Sequence, residues 1–483
     1  MALEDTANSL ANGLIDIGLG LGDRVVIMLP NCLNVAISMA AVAKAGGIIV
    51  PVSTRLTGQE IKYLIDDSNP FAVIYSPDCR DIIKGLSAVK SFIKITTNVA
   101  LKNEISLDQI ISNRPCKPPH LSGKQNEEAL LCYTSGTTGE PKGVISTHQN
   151  IIFGQCWLGA LEWELHSTDR MLCITPMAHR IGIARLAGCF CLGSTLIIQE
   201  KFDPLMTIGL IEKENITHLG VVPTIVRMLL PQMEKYPAKC KTLKGILATG
   251  ESFPISLKKR LFAALPDLRL YSFYSQTEAG LVSCLKPEQQ ETHPDSIGLP
   301  ANGVEIRIVD RNLNDVPVES TGEMLVRCGK PGEATVMKRY FNRPDDTDTA
   351  FVDGWLRTGD LGRRDKDGYF YFVDRLKDMI ISGGLNIYSR EVEIALESYP
   401  SISEAAVIGV PDSLFGETVM AFLTCKELTS PPSDKELALH CQKLIASYKK
   451  PRHIHFLDQL PRNSNGKIAK AELRTLSEEV LDL

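Results

Sequence analysis

Short apolar runs alternate with amphipathic stretches early in the chain, and this pattern limits the fold more than any other feature. Asp23–Leu29 (DRVVIML) is a β-branched run ended by Pro30, and Leu33–Lys44 carries helical spacing stopped by Gly46-Gly47. Ile48–Val52 is a second apolar run, Thr57–Asp66 reads as a helix and Phe71–Tyr75 as a third strand. Parallel strands need a crossover, so strand–helix alternation at this spacing builds βαβ units and a parallel sheet. The pattern returns at Met171–Thr175, Thr195–Gln199, Thr217–Val221 and Gly245–Thr249, with helical stretches such as Pro204–Glu214 and Pro254–Ala264 among them. A large α/β body reaching about residue 375 is expected.

The texture changes between Gly298 and Arg327. Short alternating runs (Val304–Val309, Glu323–Val326) separated by Asn, Asp and Gly suit an antiparallel segment or small β-barrel. After Asp378 comes one more α+β pass, with strand-like Ala405–Val410 and Val419–Thr424 and a helix over Asp434–Ser447. The expected division is 1–376 and 377–483, in line with two to four domains for 483 residues.

Composition excludes several classes. Hydrophobic residues at 44% and charged residues at 23% exclude wholesale disorder. A net charge of −5 argues against a nucleic-acid partner, which needs a basic face. The first sixteen residues have no basic region followed by an apolar one, so no secretory signal is read there. Lys44 and Pro51 interrupt the most apolar stretch, Val35–Val52, so no integral membrane segment is expected. Thirteen cysteines at scattered spacing favour reduced thiols in a cytoplasmic protein, with Cys189 and Cys191 as core packing. No CxxC, HExxH or GxSxG occurs, so neither a structural zinc site nor a hydrolase elbow is expected.

The segment Tyr133–Gly143, YTSGTTGEPKG, carries the most chemistry and follows a strand-like Ala129–Cys132. Tyr133, Thr134, Ser135, Thr137 and Thr138 supply hydroxyls, Gly136, Gly139 and Gly143 allow close backbone approach, and Lys142 supplies charge. Such a loop suits phosphate oxygens. It is not a Walker A loop, because Pro141 stands where that pattern needs glycine.

With four downstream motifs, this loop resembles the adenylate-forming acyl- and aryl-CoA synthetases. Tyr274–Glu278 (YSQTE) is similar to the family's YGxTE, Leu356–Leu361 (LRTGDL) to its TGD motif, Asp374–Ile387 (DRLKDMIISGGLNI) to its hinge motif, and Pro461–Lys467 (PRNSNGK) to its C-terminal lysine motif. Gly22–Ile74 also looks like the family's N-terminal subdomain, so the resemblance covers nearly the whole chain. It implies a large adenylate-forming α/β domain of two subdomains plus a small β-barrel-like segment, with a small mobile α+β domain at the C-terminus. It implies two half-reactions: a carboxylate attacks the α-phosphate of MgATP to give acyl-AMP and pyrophosphate, and coenzyme A then takes the acyl group. The implied partner is a small-molecule carboxylic acid, with a place in carboxylic- or fatty-acid metabolism; a homodimer is left open.

Residue roles follow from the same resemblance. Thr134, Ser135, Gly136, Thr137, Thr138, Gly139 and Lys142 would hold the β- and γ-phosphates, and Glu278 with Thr134 would position Mg2+. Tyr274, Gln276 and Thr277 accompany Glu278 at the nucleotide, Asp360 would accept from ribose hydroxyls, and Arg375 would contact the ribose or phosphate. Lys467 would neutralise charge as acyl-AMP forms. Lys377 is the implied hinge, and Gly383-Gly384 would pass the pantetheine arm in the second half-reaction. His179, in PMAHRIG, would gate the acyl and thiol channels.

The acyl pocket should draw on Val221–Thr224, Ala248–Ser252 and Tyr271–Tyr274. Arg180 and Arg185 flank an apolar segment, and the expectation is that they face solvent or a CoA phosphate; the alternative is a second anionic group on the acid. Ser275 stands where the family usually has glycine, Ile381 where some relatives have lysine, and relatives usually carry several tens of residues before the helix starting near Leu3. Two other readings stay open: an acyl-AMP ligase loading a carrier protein, and a truncated non-catalytic homologue.

Overall fold

The computed structural model describes residues 3–87, 90–120, 127–134, 140–426, 431–462 and 468–481. Packing divides the chain into two units. The first is Met1–Arg307, Leu325–Thr358 and Asp367–Phe370; the second is Ile308–Met324, Gly359–Lys366 and Tyr371–Leu483.

The first unit carries two large sheets. One contains β1 (Arg24–Met28), β2 (Ile48–Pro51), β3 (Ala72–Tyr75), β4 (Ile93–Thr96), β5 (Ile105–Ser106), β6 (Glu128–Thr134) and β7 (Lys142–Thr147), with Arg339–Tyr340 at its edge beside β7. β1 runs parallel to both β2 and β3, with Val25 opposite Ile49 and Ala72. Every residue of β2 and β3 is buried, which is why these strands read as continuous apolar runs rather than alternating ones. β6 and β7 form an antiparallel hairpin at the end of this sheet.

The second sheet contains β8 (Arg170–Cys173), β9 (Thr195–Ile198), β10 (His218–Val221), β11 (Gly245–Ala248), β12 (Arg269–Gln276), β13 (Gly280–Leu285) and β14 (Leu299–Pro300). Its spatial order is β14-β13-β12-β11-β10-β8-β9, parallel from β12 to β9, with β13 and β14 antiparallel at one edge. The helices Leu33–Lys44, Pro204–Lys213 and Ile255–Ala264 fall where the periodicity places them. Thr57 caps Gly58–Ser68 through a reciprocal pair with Glu60.

One buried amide ties the two sheets. Asn31, just past β1, donates from Nδ2 to the carbonyls of Thr175 (3.0 Å) and Gln199 (3.3 Å) beyond β8 and β9, and accepts from the Met177 N–H at 2.7 Å. His218 opens β10 at 5% exposure, its Nδ1 2.9 Å from the Thr217 hydroxyl. Burial pushes its imidazole down to about 4 despite the nearby Asp169 carboxylate.

The thiol expectation needs correction. Cys156 and Cys191 form a disulfide, because Phe153–Trp157 and the end of the Arg180–Leu192 helix bring their Cα atoms to 5.6 Å. Cys189, the other half of the CxC pair, is a free, buried core residue, as expected.

In the second unit, Ile402–Asp412 and Gly416–Cys425 form a long antiparallel pair, flanked by the Ile380–Ser382 and Leu385–Ile387 hairpin and by His453–Phe456. The helices Ser389–Glu397 and Asp434–Leu444 cover one apolar face through Val392, Leu396, Leu437 and Cys441. The strands expected between residues 298 and 327 occur at Leu299–Pro300, Glu305–Val309 and Gly322–Arg327. Residues 308–324 and 359–366 pack with this second unit rather than with the large body. No helix among the described residues is long and apolar enough to cross a membrane.

Candidate active site

The β6–β7 hairpin sets the position of the first group. β6 ends at Thr134 and β7 begins at Lys142, directly opposite each other. Ser135, Gly136, Thr137, Thr138 and Gly139 lie outside the described residues. The Thr134 hydroxyl donates to the Lys142 carbonyl at 3.3 Å. Lys142 Nζ donates to Asp346 Oδ1 at 2.5 Å and lies 5.3 Å from the centroid of the Tyr340 ring. The Tyr340 hydroxyl donates to Glu278 Oε1 at 3.2 Å. Burial and the Glu278 charge push that phenol up, so it stays a donor at neutral pH.

Arg180 enters this neighbourhood from the first turn of the Arg180–Leu192 helix. Its Nη1 donates to Ser146 Oγ at 2.5 Å and to the Thr277 carbonyl at 3.4 Å. Burial lowers its guanidinium, and the Glu278 charge opposes that shift. Tyr340 therefore links a lysine and a carboxylate, and Arg180 lies near enough to Glu278 to feel its charge. Cations flanking a carboxylate suit a polyphosphate with a hard divalent metal ion.

The YSQTE residues lie at the end of β12. The register with β13 shifts between Tyr274 and Ser275, which turns Ser275 Oγ to within 3.1 Å of Thr249 Oγ1. Gln276 Nε2 donates to the Thr358 carbonyl at 3.0 Å. The Thr224 N–H donates to Glu251 Oε1 at 2.8 Å, linking two of the expected pocket segments. His179 occupies the N-cap of the Arg180–Leu192 helix, with φ −100° and ψ 155°, and is half-buried.

The expectation for the paired arginines fails. Arg180 is tied to Ser146 and Thr277, and Arg185 is only 3% exposed. Arg180 is partly exposed and held by these two partners, whereas Arg185 lies on the buried side of the helix with Ile183, Leu186 and Cys189.

In the second unit, Asp360 is buried with Oδ1 3.7 Å from Arg375 Nε. Asp374 accepts from the N–H of Arg375 (2.8 Å), the N–H of Ser389 (2.5 Å), the Ser389 hydroxyl (3.1 Å) and the N–H of Arg390 (3.4 Å). Burial raises the Asp374 carboxyl, opposed by Lys470 and these donors. Burial likewise lowers the Lys377 ammonium. Gly383 and Gly384 turn the Ile380–Ile387 hairpin at φ +56° and +79°, a region that favours glycine. Beside them lies a cavity of about 540 Å³ lined by Phe415, Tyr448, Lys450 and Arg452, with the Arg452 guanidinium 4.2 Å from the Phe415 ring centroid. Lys467 lies outside the described residues.

Two residues of the first group are absent from the motif reading, Tyr340 and Asp346. The signal available was the dense block KRYFNRPDD, where aromatic, basic and acidic residues crowd together without apolar periodicity.

Comparisons with known proteins bear on the family and the fold. The AMP-binding enzyme family matches residues 2–341, and the AMP-binding enzyme C-terminal domain matches residues 391–467. A feruloyl-CoA synthase of Amycolatopsis sp is 33% identical over 471 residues, covering 96% of this chain and 91% of the relative. A long-chain-fatty-acid–CoA ligase of Mycobacterium tuberculosis is 31% identical, covering 97% and 91%. Among solved structures, o-succinylbenzoate CoA synthetase from Bacillus subtilis in complex with its acyl-adenylate intermediate superposes with a TM-score of 0.86 at 29% identity, over 98% of this chain and 92% of that one.

Proposed function

The chain belongs to the AMP-binding enzyme family of adenylate-forming acyl- and aryl-CoA ligases, and on that premise we propose how its own residues divide the work. The reaction is ATP-dependent acid:CoA ligation through acyl-AMP. A carboxylate oxygen attacks the α-phosphorus, the bond to the bridging oxygen breaks and pyrophosphate leaves. The CoA thiol, losing its proton, then attacks the acyl carbon and AMP leaves. The first step brings two anions together, so the site must supply fixed positive charge.

Lys142 and the hydroxyls of Thr134, Ser135, Thr137 and Thr138 hold the departing β- and γ-phosphates, with Gly136 and Gly139 letting the backbone close on them. The observation that carries this reading is the link from Lys142 through Tyr340 to Glu278, with Arg180 near enough to feel the Glu278 charge. Glu278 and Thr134 would hold Mg2+, which supplies neutralisation of phosphate charge; a carboxylate oriented by a protonated phenol fits that hard cation. Tyr274, Gln276 and Thr277 line the nucleotide beside it. Asp360 accepts from the ribose hydroxyls and Arg375 meets the ribose or phosphate, supported by their mutual approach. Lys467 neutralises the charge that builds as acyl-AMP forms.

The C-terminal part, 377–483, turns about Lys377 between the two half-reactions. Gly383 and Gly384 keep a thin passage for pantetheine, and His179 gates the acyl and thiol channels. We place the enzyme in the cytoplasm, acting on a small carboxylic acid.

The test is pyrophosphate release with MgATP and a panel of fatty, dicarboxylic and aryl acids, with and without CoA. Pyrophosphate with one acid class, and sustained turnover only with CoA, is expected. Turnover that ignores CoA would sink the ligase reading.

A further inference from the structure

Arg185 is a buried cation that the proposed chemistry does not use. It lies on the Arg180–Leu192 helix at 3% exposure, with Nε and Nη2 lacking a hydrogen-bond partner among the described residues. Its guanidinium sits 4.9 Å from the Trp163 ring centroid and 5.7 Å from that of Phe273. These ring faces stabilise the charge but accept no N–H in its plane. A buried guanidinium with orphaned donors is expensive, and a hydrophobic side chain would fill the same space at lower cost.

The surroundings are built around this group. Gly220 on β10 faces it, and a Cβ there would fall 2.3 Å from Arg185 Nε. Any other residue at that position of the strand would displace the guanidinium. The adjacent thiols are not counter-charges, since burial pushes Cys173 up to about 11 and raises Cys189 as well. Burial brings the guanidinium itself down to about 10, so it remains a cation at neutral pH.

Its neighbours belong to the strands expected to supply the acyl pocket. Arg185 stands six residues beyond His179 on one helix, about 9 Å along the axis at 1.5 Å per residue. Phe273 and Gly220 belong to strands whose ends form the expected acyl pocket.

We propose that Arg185 determines specificity by reading a second carboxylate on the acid, remote from the carboxylate that is adenylated, so that the preferred substrates are dicarboxylic acids. The proposal rests on the ligase reading above. A guanidinium fork with two in-plane donors matches a carboxylate in bidentate fashion, and a plain fatty acid leaves those donors unpaired. Discrimination is strong when a site's buried polar groups would otherwise go unpaired.

The experiment compares matched pairs: octanoate against octanedioate, and cinnamate against 4-carboxycinnamate, by pyrophosphate release with MgATP and CoA. Wild type is expected to favour the diacid at least tenfold in kcat/KM in one pair. Arg185→Met should bring that ratio close to one, with the loss in KM rather than kcat, and Arg185→Lys should retain part of it. Gly220→Ala, which presses on Nε, should lower the same ratio, so the test survives if Arg185→Met fails to fold. Equal or better use of the monoacid in both pairs by wild type overturns the proposal. So does an unchanged ratio in an Arg185→Met protein that melts like wild type. Pyrophosphate from no acid in the wider panel would overturn the ligase reading, and this inference with it.

Discussion

Lys142 and Asp346 lie 204 positions apart and meet at 2.5 Å, so the cation expected to hold phosphate is already held by a carboxylate. The pair is half-exposed, at 25% and 33% of side-chain surface, and such pairs contribute about 0–1 kcal/mol to stability. Its importance is positional. Lys142→Ala should lower kcat/KM for ATP by about 10–100-fold, while Asp346→Asn should cost less than about fivefold, because a polyphosphate replaces that carboxylate. Pyrophosphate release against ATP concentration checks both, and equal losses would contradict this division.

Glu278→Gln should reduce acyl-AMP formation by at least about 100-fold and shift the Mg2+ dependence to higher concentration. Tyr340→Phe removes only the donor that orients Glu278, so about 10-fold is expected. Metal titrations of the adenylation rate separate the two.

Lys467→Ala should cripple acyl-AMP formation and leave thioester formation from supplied acyl-AMP largely intact. Rapid-quench measurement of each half-reaction decides this, and equal loss in both would remove the role assigned to that lysine.

Gly384→Ala introduces a side chain with open space around it but at φ +79°, which costs about 1 kcal/mol. Thioester formation should fall about tenfold or more while acyl-AMP formation holds, if this turn forms the thiol passage. Paired half-reaction assays on the variant give the answer.

His218 supplies a pH prediction. Its folded-state value of about 4 lies below the ordinary 6.5, so between those limits the unfolded chain takes up a proton that the folded protein declines. Stability should therefore fall as pH drops from 6.5 to 4, by up to about 3 kcal/mol from this group. His218→Asn should flatten that part of the curve in urea titrations at pH 7.5, 6 and 5.

The sheets were legible because buried parallel strands must be apolar throughout, and β1, β2 and β3 lie within a residue or so of the runs that announced them. The strand-like Ala129–Cys132 reappears within β6, whereas β7 and the hairpin it completes carry no alternation or turn signal that the sequence reading used. Asp346 and Tyr340 were not legible, because their significance comes only from pairing across the fold with Lys142 and Glu278. Arg185 was misread for a physical reason. Arginine is almost never fully buried without a partner, so a solvent-facing position was the sound expectation from sequence. The Cys156–Cys191 link was also invisible, since it depends on two helical segments meeting across 35 positions.

The Asp374 carboxylate grips the start of the Ser389–Glu397 helix from the other side of Lys377. If the chain turns at Lys377, as proposed, this carboxylate bridges the turning point. Hydrogen bonds placed across it would make the proposed pivot a braced joint rather than a slack one. Substituting Asp374 would then ease that turn, and it would also free the backbone N–H of Arg375, the neighbour proposed to meet the nucleotide.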